Sequence, residues 1–262
     1  MRKNARPTRN GRSILVGTSG WSYRGWRGPF FPTVLPVRQH LEFYASRFKT
    51  TELNGVFYRT PTEQAVRRWA AQTPDNFVFA WKASQFITHW RRLSETARDS
   101  LKLMDSRRRL LGSKAGPVLF QLPPRFEKNR ERLATFLGFL SRRTRYSFEF
   151  RHPSWYEDDI LDLLRENDIA LCISDHHDAP SPWTVTARHI YIRGHGPGGR
   201  YRGHYRPDTL ATWAQWLREK TSSARVAYVY FDNDQKSAAP KDAARLARLI
   251  EEQAPHAYSA AA

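Results

Sequence analysis

The sequence predicts an α/β fold, a single eight-stranded (β/α) TIM-like barrel. Eight short apolar or β-branched runs recur along the 262 residues. Helix-period segments separate most of them, as crossover helices between parallel strands require. The runs also turn polar at their C-terminal ends, where barrels of this kind carry their chemistry. An open doubly wound sheet is the alternative architecture.

Taken in order, the strand-like runs are SILVG (13–17), TTELN (50–54), FVFAWK (77–82), PVLFQL (117–122), YSFEF (146–150), IALCIS (169–174), HIYIR (189–193) and VAYVYF (226–231). VRQHLEFYASRF places Val37, Leu41, Tyr44, Ala45 and Phe48 on one helical face. TPTEQAVRRWA offers Thr60 as an N-cap, Pro61 at the first helical position and Glu63 to close a capping box. NRERLATFLGFL stacks Leu133, Phe136, Leu137 and Leu140, and SWYEDDILDLLREN repeats the capping box with Ser154 and Glu157. SRRRLLG and LSRRTR read as basic helical faces, and DTLATWAQWLREK and PKDAARLARLIEE as the last two helices. The segment between Asp175 and His189 is too short and Pro-rich for a full helix, so an irregular connection is expected between strands six and seven. The domain plan is a basic arm over 1–12, one barrel over 13–255 and a tail over 256–262.

Composition narrows the function classes. The net charge is +18, and removing the first twelve residues still leaves +13. Such a charge attracts nucleic acid and other polyanions. The single cysteine, Cys172, excludes a disulfide framework within the chain. With no run long enough to span a membrane and no signal-peptide core, a cytoplasmic protein is expected.

The alternation of strand residues nominates the site. Inward series end in Glu52 and Asn54, in Val78, Ala80 and Lys82, in Leu119 and Gln121, and in Glu149 and Arg151. They continue with Ile173 and Asp175, with Tyr191, Arg193 and His195, and with Asp232 or Asn233. A mixed ring of buried charges must be mutually satisfied. The candidate catalytic residues are Glu149, Asp175, Glu52 and His195. Candidate ligand-binding residues are Trp21, Tyr23, Asn54, Lys82, His89, Gln121, Arg151, Arg193 and Asn233. Trp26 joins Trp21 and Tyr23 as an aromatic at the mouth. His152 alternates to the far side of its strand and is expected to brace the turn. The loop GHGPGGRYRGHYRPD (194–208) is expected to turn Arg200, Tyr201, Arg202, His204 and Tyr205 toward a ligand, since barrels often bind phosphate after strand seven.

GTSGWSY (17–23), ELNGVFY (52–58), THWRRL (88–93), GPVLFQLP (116–123), EFRHPSW (149–155), RGHG (193–196) and YFDND (230–234) together resemble the YecE-like family, domain of unknown function 72. The resemblance runs from about Ile14 to Ile250 and implies a TIM-barrel-like fold without supplying an activity. Gly194 stands where the family pattern would have leucine, and Asp232 where it would have asparagine.

The ring suits a phosphorylated small molecule or a nucleic acid, with phosphodiester hydrolysis as one chemistry. In that reading Glu149 or Asp175 is the base, and Lys82, Arg151 and Arg193 stabilise developing charge. A non-catalytic nucleic-acid-binding barrel and a sugar isomerase or lyase remain open. No cofactor is expected, although a metal held by Glu149, Asp175 and His195 stays open. The scattered ligands show no metal motif, and HHD (176–178) reads as a solvated loop.

Overall fold

The computed structural model describes residues 13–221 and 226–252. The arm and tail expected at 1–12 and 256–262 lie outside them. The strands are β1 (Ser13–Thr18), β2 (Thr50–Leu53), β3 (Val78–Lys82), β4 (Ala115–Gln121), β5 (Tyr146–Glu149), β6 (Ala170–Ser174), β7 (His189–Gly194) and β8 (Val226–Phe231). The α-helices are α1 (His40–Ala45), α2 (Glu63–Ala71), α3 (Arg98–Arg109), α4 (Arg130–Leu137), α5 (Asp158–Glu166), α6 (Pro207–Lys220) and α7 (Ala238–Glu252).

All paired strands are parallel, in the order β1-β8-β7-β6-β5-β4-β3-β2. The ends of this order face each other across one seam, so the barrel is nearly closed. At the seam β1 and β2 form no continuous ladder among the described residues: they meet through the Ser19–Glu52 bridge, and Thr51 Oγ1 donates to the Thr18 carbonyl at 3.0 Å. The Tyr44 hydroxyl fills the gap. It accepts from the Thr18 amide at 2.9 Å and donates to the Thr50 carbonyl at 3.0 Å. Gly17 is required here, because a Cβ would collide with the Thr50 carbonyl. The β3–β4 register shifts between Phe79 and Trp81. The shift falls opposite Gly116 and Pro117, where the proline has no N–H for the ladder.

Two apolar clusters reflect the alternation of the strands. A small inner cluster of Ala80, Leu119, Cys172, Tyr191, Tyr228 and Tyr230 fills the barrel. The large outer cluster lies between sheet and helices and includes Phe120, Phe136, Phe148, Phe150 and Trp155. Phe150 and Trp155 stack at 4.9 Å, so the turn after β5 is anchored outward.

Several local expectations change. α2 begins at Glu63 with Thr62 as its cap, accepting from the Ala65 amide at 3.2 Å. Thr60 and Pro61 precede it. Ser154 lies in a 3-10 turn, Pro153–Tyr156, and accepts the Lys128 amide, while α5 starts later at Asp158. LSRRTR is a loop after α4, not a helical face. The connection between β6 and β7 contains no helix, as its composition requires.

Candidate functional site

Arg193 is the hub of the strand ends. Its side chain has no solvent exposure. Nη1 donates to Glu149 Oε2 at 2.8 Å, and Nη2 donates to Glu52 Oε1 at 3.0 Å and Asp232 Oδ2 at 2.7 Å. Three carboxylates from β2, β5 and the end of β8 thus converge on one guanidinium from β7. Such a group survives burial only because each charge is paired and hydrogen-bonded.

Each carboxylate has further partners. Glu52 accepts from Ser19 Oγ at 2.5 Å and Tyr191 Oη at 2.6 Å. Glu149 accepts from Arg151 Nε at 2.7 Å and Ser174 Oγ at 3.2 Å. Burial alone would push both glutamates upward. For Glu52 the fields of Arg193 and Lys82 and the two hydroxyl donors reverse it, leaving the pKa below the usual carboxylate range. For Glu149 the fields of Arg151, Arg193, His195 and Lys82 hold it well below that range. Glu149 is therefore a poor proton acceptor, which argues against its expected role as base.

Arg151 and Arg193 turn their guanidinium donors into the network, and Arg193 Nε is buried without a partner among the described residues. Besides Glu149, Arg151 reaches Tyr201 Oη at 3.1 Å and His195 Nε2 at 3.1 Å. Both arginines lie inside the network, at 4% and 0% exposure, so the expected anion clamp is closed. His195 is fully buried, and its pKa is lowered, by burial first, against the opposing bond to Asp175. It braces the network rather than facing solvent.

Asp175 arrives by a different route from the one its spacing suggests. On β6 the inward residues are Cys172 and Ser174, and Ile173 belongs to the outer cluster. Asp175 lies just past the strand. It accepts the His195 amide at 2.7 Å and a bond from the Tyr205 hydroxyl. Asn233 also differs from expectation. Its side-chain amide donates to Gly203 O and Asp242 Oδ2, tying loop seven to α7, and the neighbouring Asp232 is the inward residue.

Above the network lies a cavity of about 390 Å³. Asn54, Lys82 and Gln121 from the strand ends line it, together with Tyr23 and His89 from the segments that follow β1 and β3. So do Tyr201, Asp232 and Asp234. Lys82 is 5% exposed, donates to Asn54 Oδ1 at 3.1 Å and sits 4.4 Å over the Phe57 ring. Burial, then the field of Arg193, pulls its ammonium down to about 8. Burial, then the field of Lys82, lowers His89 to about 4, so its imidazole is neutral near pH 7. Tyr23 bonds the Ser19 carbonyl at 2.5 Å. Trp21 instead packs edge-on against Trp69, and Trp26 is buried with its indole N–H on the Asp234 carbonyl.

Three rings stand exposed after strand ends: Tyr58 at 67%, just past a 3-10 turn, Trp90 at 68%, closing the π-helical turn Phe86–Trp90, and Tyr201 at 37%, on the loop after β7. Each adjoins arginine in the chain: Arg59, then Arg91 and Arg92, then Arg200 and Arg202. These five arginines are exposed and have no carboxylate partner among the described residues. The loop after β7 brings Tyr201 to this cavity and leaves Arg200 and Arg202 exposed, with Arg202 lining a separate hollow beside Gln235 and Lys236, while His204 pairs with Asp242 and Tyr205 is buried. His152 braces its own turn through Ser154 at 2.8 Å. Ser19, Tyr191, Ser174 and Asp232 complete the network. Of these, Tyr191 and Asp232 lay in the inward series, whereas the two serines carried no distinguishing signal.

His176, His177 and Asp178 place their ligating atoms within 4.8 Å of one another. The His176 Nδ1 lone pair already accepts the Asp178 amide at 3.3 Å. Arg151 adds a repulsive field there, second to burial in lowering this imidazole. No helix among the described residues is long and apolar enough to cross a membrane.

The comparisons bear on the family and the fold. The DUF72 domain model, a protein family of unknown function, matches residues 15–261. UPF0759 protein YunF of Bacillus subtilis is 26% identical over 91% of this chain and 95% of its own. UPF0759 protein YecE of Escherichia coli is 31% identical over 55% of this chain and half of its own. The DUF72 family protein TM1631 from Thermotoga maritima superposes with a TM-score of 0.81 at 25% identity, covering 91% of this chain and 99% of that one. SacUVDE shares the fold alone, with a TM-score of 0.53 at 9% identity over 92% of this chain and 98% of that one. A family model spanning nearly the whole barrel, with solved relatives of the same architecture, shows that this chain belongs to the DUF72 family.

Proposed function

We propose that the mouth of the barrel binds single-stranded nucleic acid and receives one nucleotide unit in the cavity above Lys82. The observation that carries this reading is the rim. Three exposed rings interleaved with five arginines lacking carboxylate partners combine the two elements that single-strand binding needs. Rings stack on bases of any sequence, and arginines track the phosphates. The cavity is large enough for a small-molecule-sized group. Its polar lining of Asn54, Gln121, Lys82 and His89 suits the edge of a base or the hydroxyls of a sugar. Asp232 and Asp234 also line it, which favours an uncharged base or sugar inside and the phosphates outside on the rim.

That partition weighs against phosphodiester hydrolysis within the cavity and toward lyase-type chemistry at a sugar. Lys82 favours the second reading. An amine with a pKa near 8 has an appreciable unprotonated fraction at neutral pH and can attack a carbonyl. With the ring-opened aldehyde of an abasic nucleotide, the Lys82 nitrogen bonds the aldehyde carbon. Loss of one water then leaves an imine.

The test has two arms. Fluorescence anisotropy with a labelled single-stranded oligonucleotide should show binding that weakens steeply between about 50 and 200 mM salt. Absence of binding at low salt overturns the reading. Borohydride added with an abasic oligonucleotide should leave a covalent adduct on Lys82, located by mass spectrometry, and Lys82→Met should abolish it. An adduct spread over surface lysines, unchanged in Lys82→Met, removes the lyase assignment while leaving the binding assignment intact.

A further inference from the structure

The opposite end of the barrel holds a second cavity of about 550 Å³, bounded by the N-terminal ends of β4 to β7. Its floor includes Tyr146, Ile169 and His189, and its wall is the 138–145 loop after α4 with Arg142, Arg143 and Arg145. The acids and bases around it sort unequally. Asp168 is engaged by Arg188, whose backbone amide and Nε donate to it at 2.7 and 2.9 Å. Arg108 is held by Asp105 and by Thr144 Oγ1 at 2.7 Å. Arg142 and Arg143 have no side-chain partner among the described residues, and Arg145 reaches only the Tyr228 hydroxyl, at 3.4 Å. Glu166 is the one lining carboxylate without an ion pair among the described residues.

We propose that this cavity is a second anion site, taking a small molecule that carries a di- or triphosphate. Three arginines with no carboxylate partner among the described residues, set around a concave volume, match several phosphate oxygens at once, and guanidinium forks suit that geometry. Arg142 and Arg143 lie several residues beyond the end of α4 at Leu137, so compensating the helix dipole in its last turn does not account for them. The volume falls in the range of small-molecule sites. The ligand here is a compact polyphosphate rather than a strand, because the aromatic groups lining the cavity, Tyr146 and His189, are buried at 8% and 1% exposure. Among the described residues lining it, no exposed ring offers the stacking proposed at the mouth.

Isothermal titration of the full chain with inorganic pyrophosphate tests the site. The double variant Arg142→Glu/Arg143→Glu lies on exposed loop positions, and circular dichroism checks that it folds. Its pyrophosphate affinity should fall by about tenfold or more. The control Arg67→Gln, on the exposed face of α2 and lining neither cavity, should bind pyrophosphate as the parent does. An unchanged affinity in the loop variant overturns the proposal. So does no pyrophosphate binding by the parent, or an equal loss in Arg67→Gln. If the loop variant loses oligonucleotide binding and keeps pyrophosphate binding, this face takes nucleic acid and the proposal also fails.

Discussion

Arg193 Nη1 meets Glu149 Oε2 at 2.8 Å, with both side chains fully withdrawn from solvent. This pair joins β5 to β7 across the barrel interior, and the same guanidinium ties in Glu52 and Asp232. Glu149→Gln removes a charge on which both Arg151 and Arg193 depend. The expected cost is about 3–5 kcal/mol, since breaking a buried pair leaves an uncompensated charge. Denaturant unfolding measures it. A variant as stable as the parent would show that the network is not structural.

Lys82 should titrate far below an ordinary lysine. Competitive labelling with a trace amine-reactive reagent across pH, read by mass spectrometry, should give half-reaction near pH 8, the value set by burial and Arg193. Surface lysines in the same samples serve as references. A midpoint above pH 10 would remove Lys82 as a reacting amine.

Stability should decline in two stages as pH falls. His89, His176 and His189 are held at about 4, 3 and 4, with burial the first cause for each. Between those values and the unfolded value near 6.5 the unfolded chain binds more protons, so stability drops as pH falls below about 6.5. Glu52 and Glu149 are depressed below the unfolded carboxylate value. Their contribution is present above about 4.3 and is lost as pH falls further through their folded values. Melting temperatures taken in steps from pH 7 to pH 3 check both stages. A flat profile down to pH 5 contradicts the histidine stage.

At the rim, Trp90→Ala and Tyr58→Ala should each weaken single-strand affinity by about 1–3 kcal/mol, the worth of one stacked base. Both rings are mostly exposed, so the melting temperature should hold. Arg91→Gln/Arg92→Gln should instead flatten the salt dependence, by a slope of about 0.7 for each phosphate no longer neutralised. Equal effects of the aromatic and arginine variants on the salt slope would contradict this division of roles.

The fold was legible because it rests on repeated signals, eight polar-ended strands and their intervening helices. The inward placement was legible where a strand kept its alternation to the end, as for Glu52, Lys82, Glu149 and Arg193. It failed on β6, where the strand ends at Ser174 and Asp175 belongs to the following loop. The choice between Asp232 and Asn233 depended on one residue of register, and the structure selects Asp232. Gly194 also has a reason that only packing reveals. A Cβ there would lie 2.8 Å from the Tyr205 hydroxyl and 3.1 Å from Trp213, so the leucine of the family pattern has no room. That the arginines close on internal carboxylates could not be read from spacing, which shows that charges converge but not which are already paired.

The most direct measurement is photocrosslinking of a single-stranded oligonucleotide carrying thiothymidine, with the adducts located by mass spectrometry. The account predicts crosslinks on the peptides holding Tyr58, Trp90 and Tyr201, lost when a short unlabelled single strand competes. Crosslinks concentrated on the 138–145 loop at the opposite end, with none at the mouth, would contradict it.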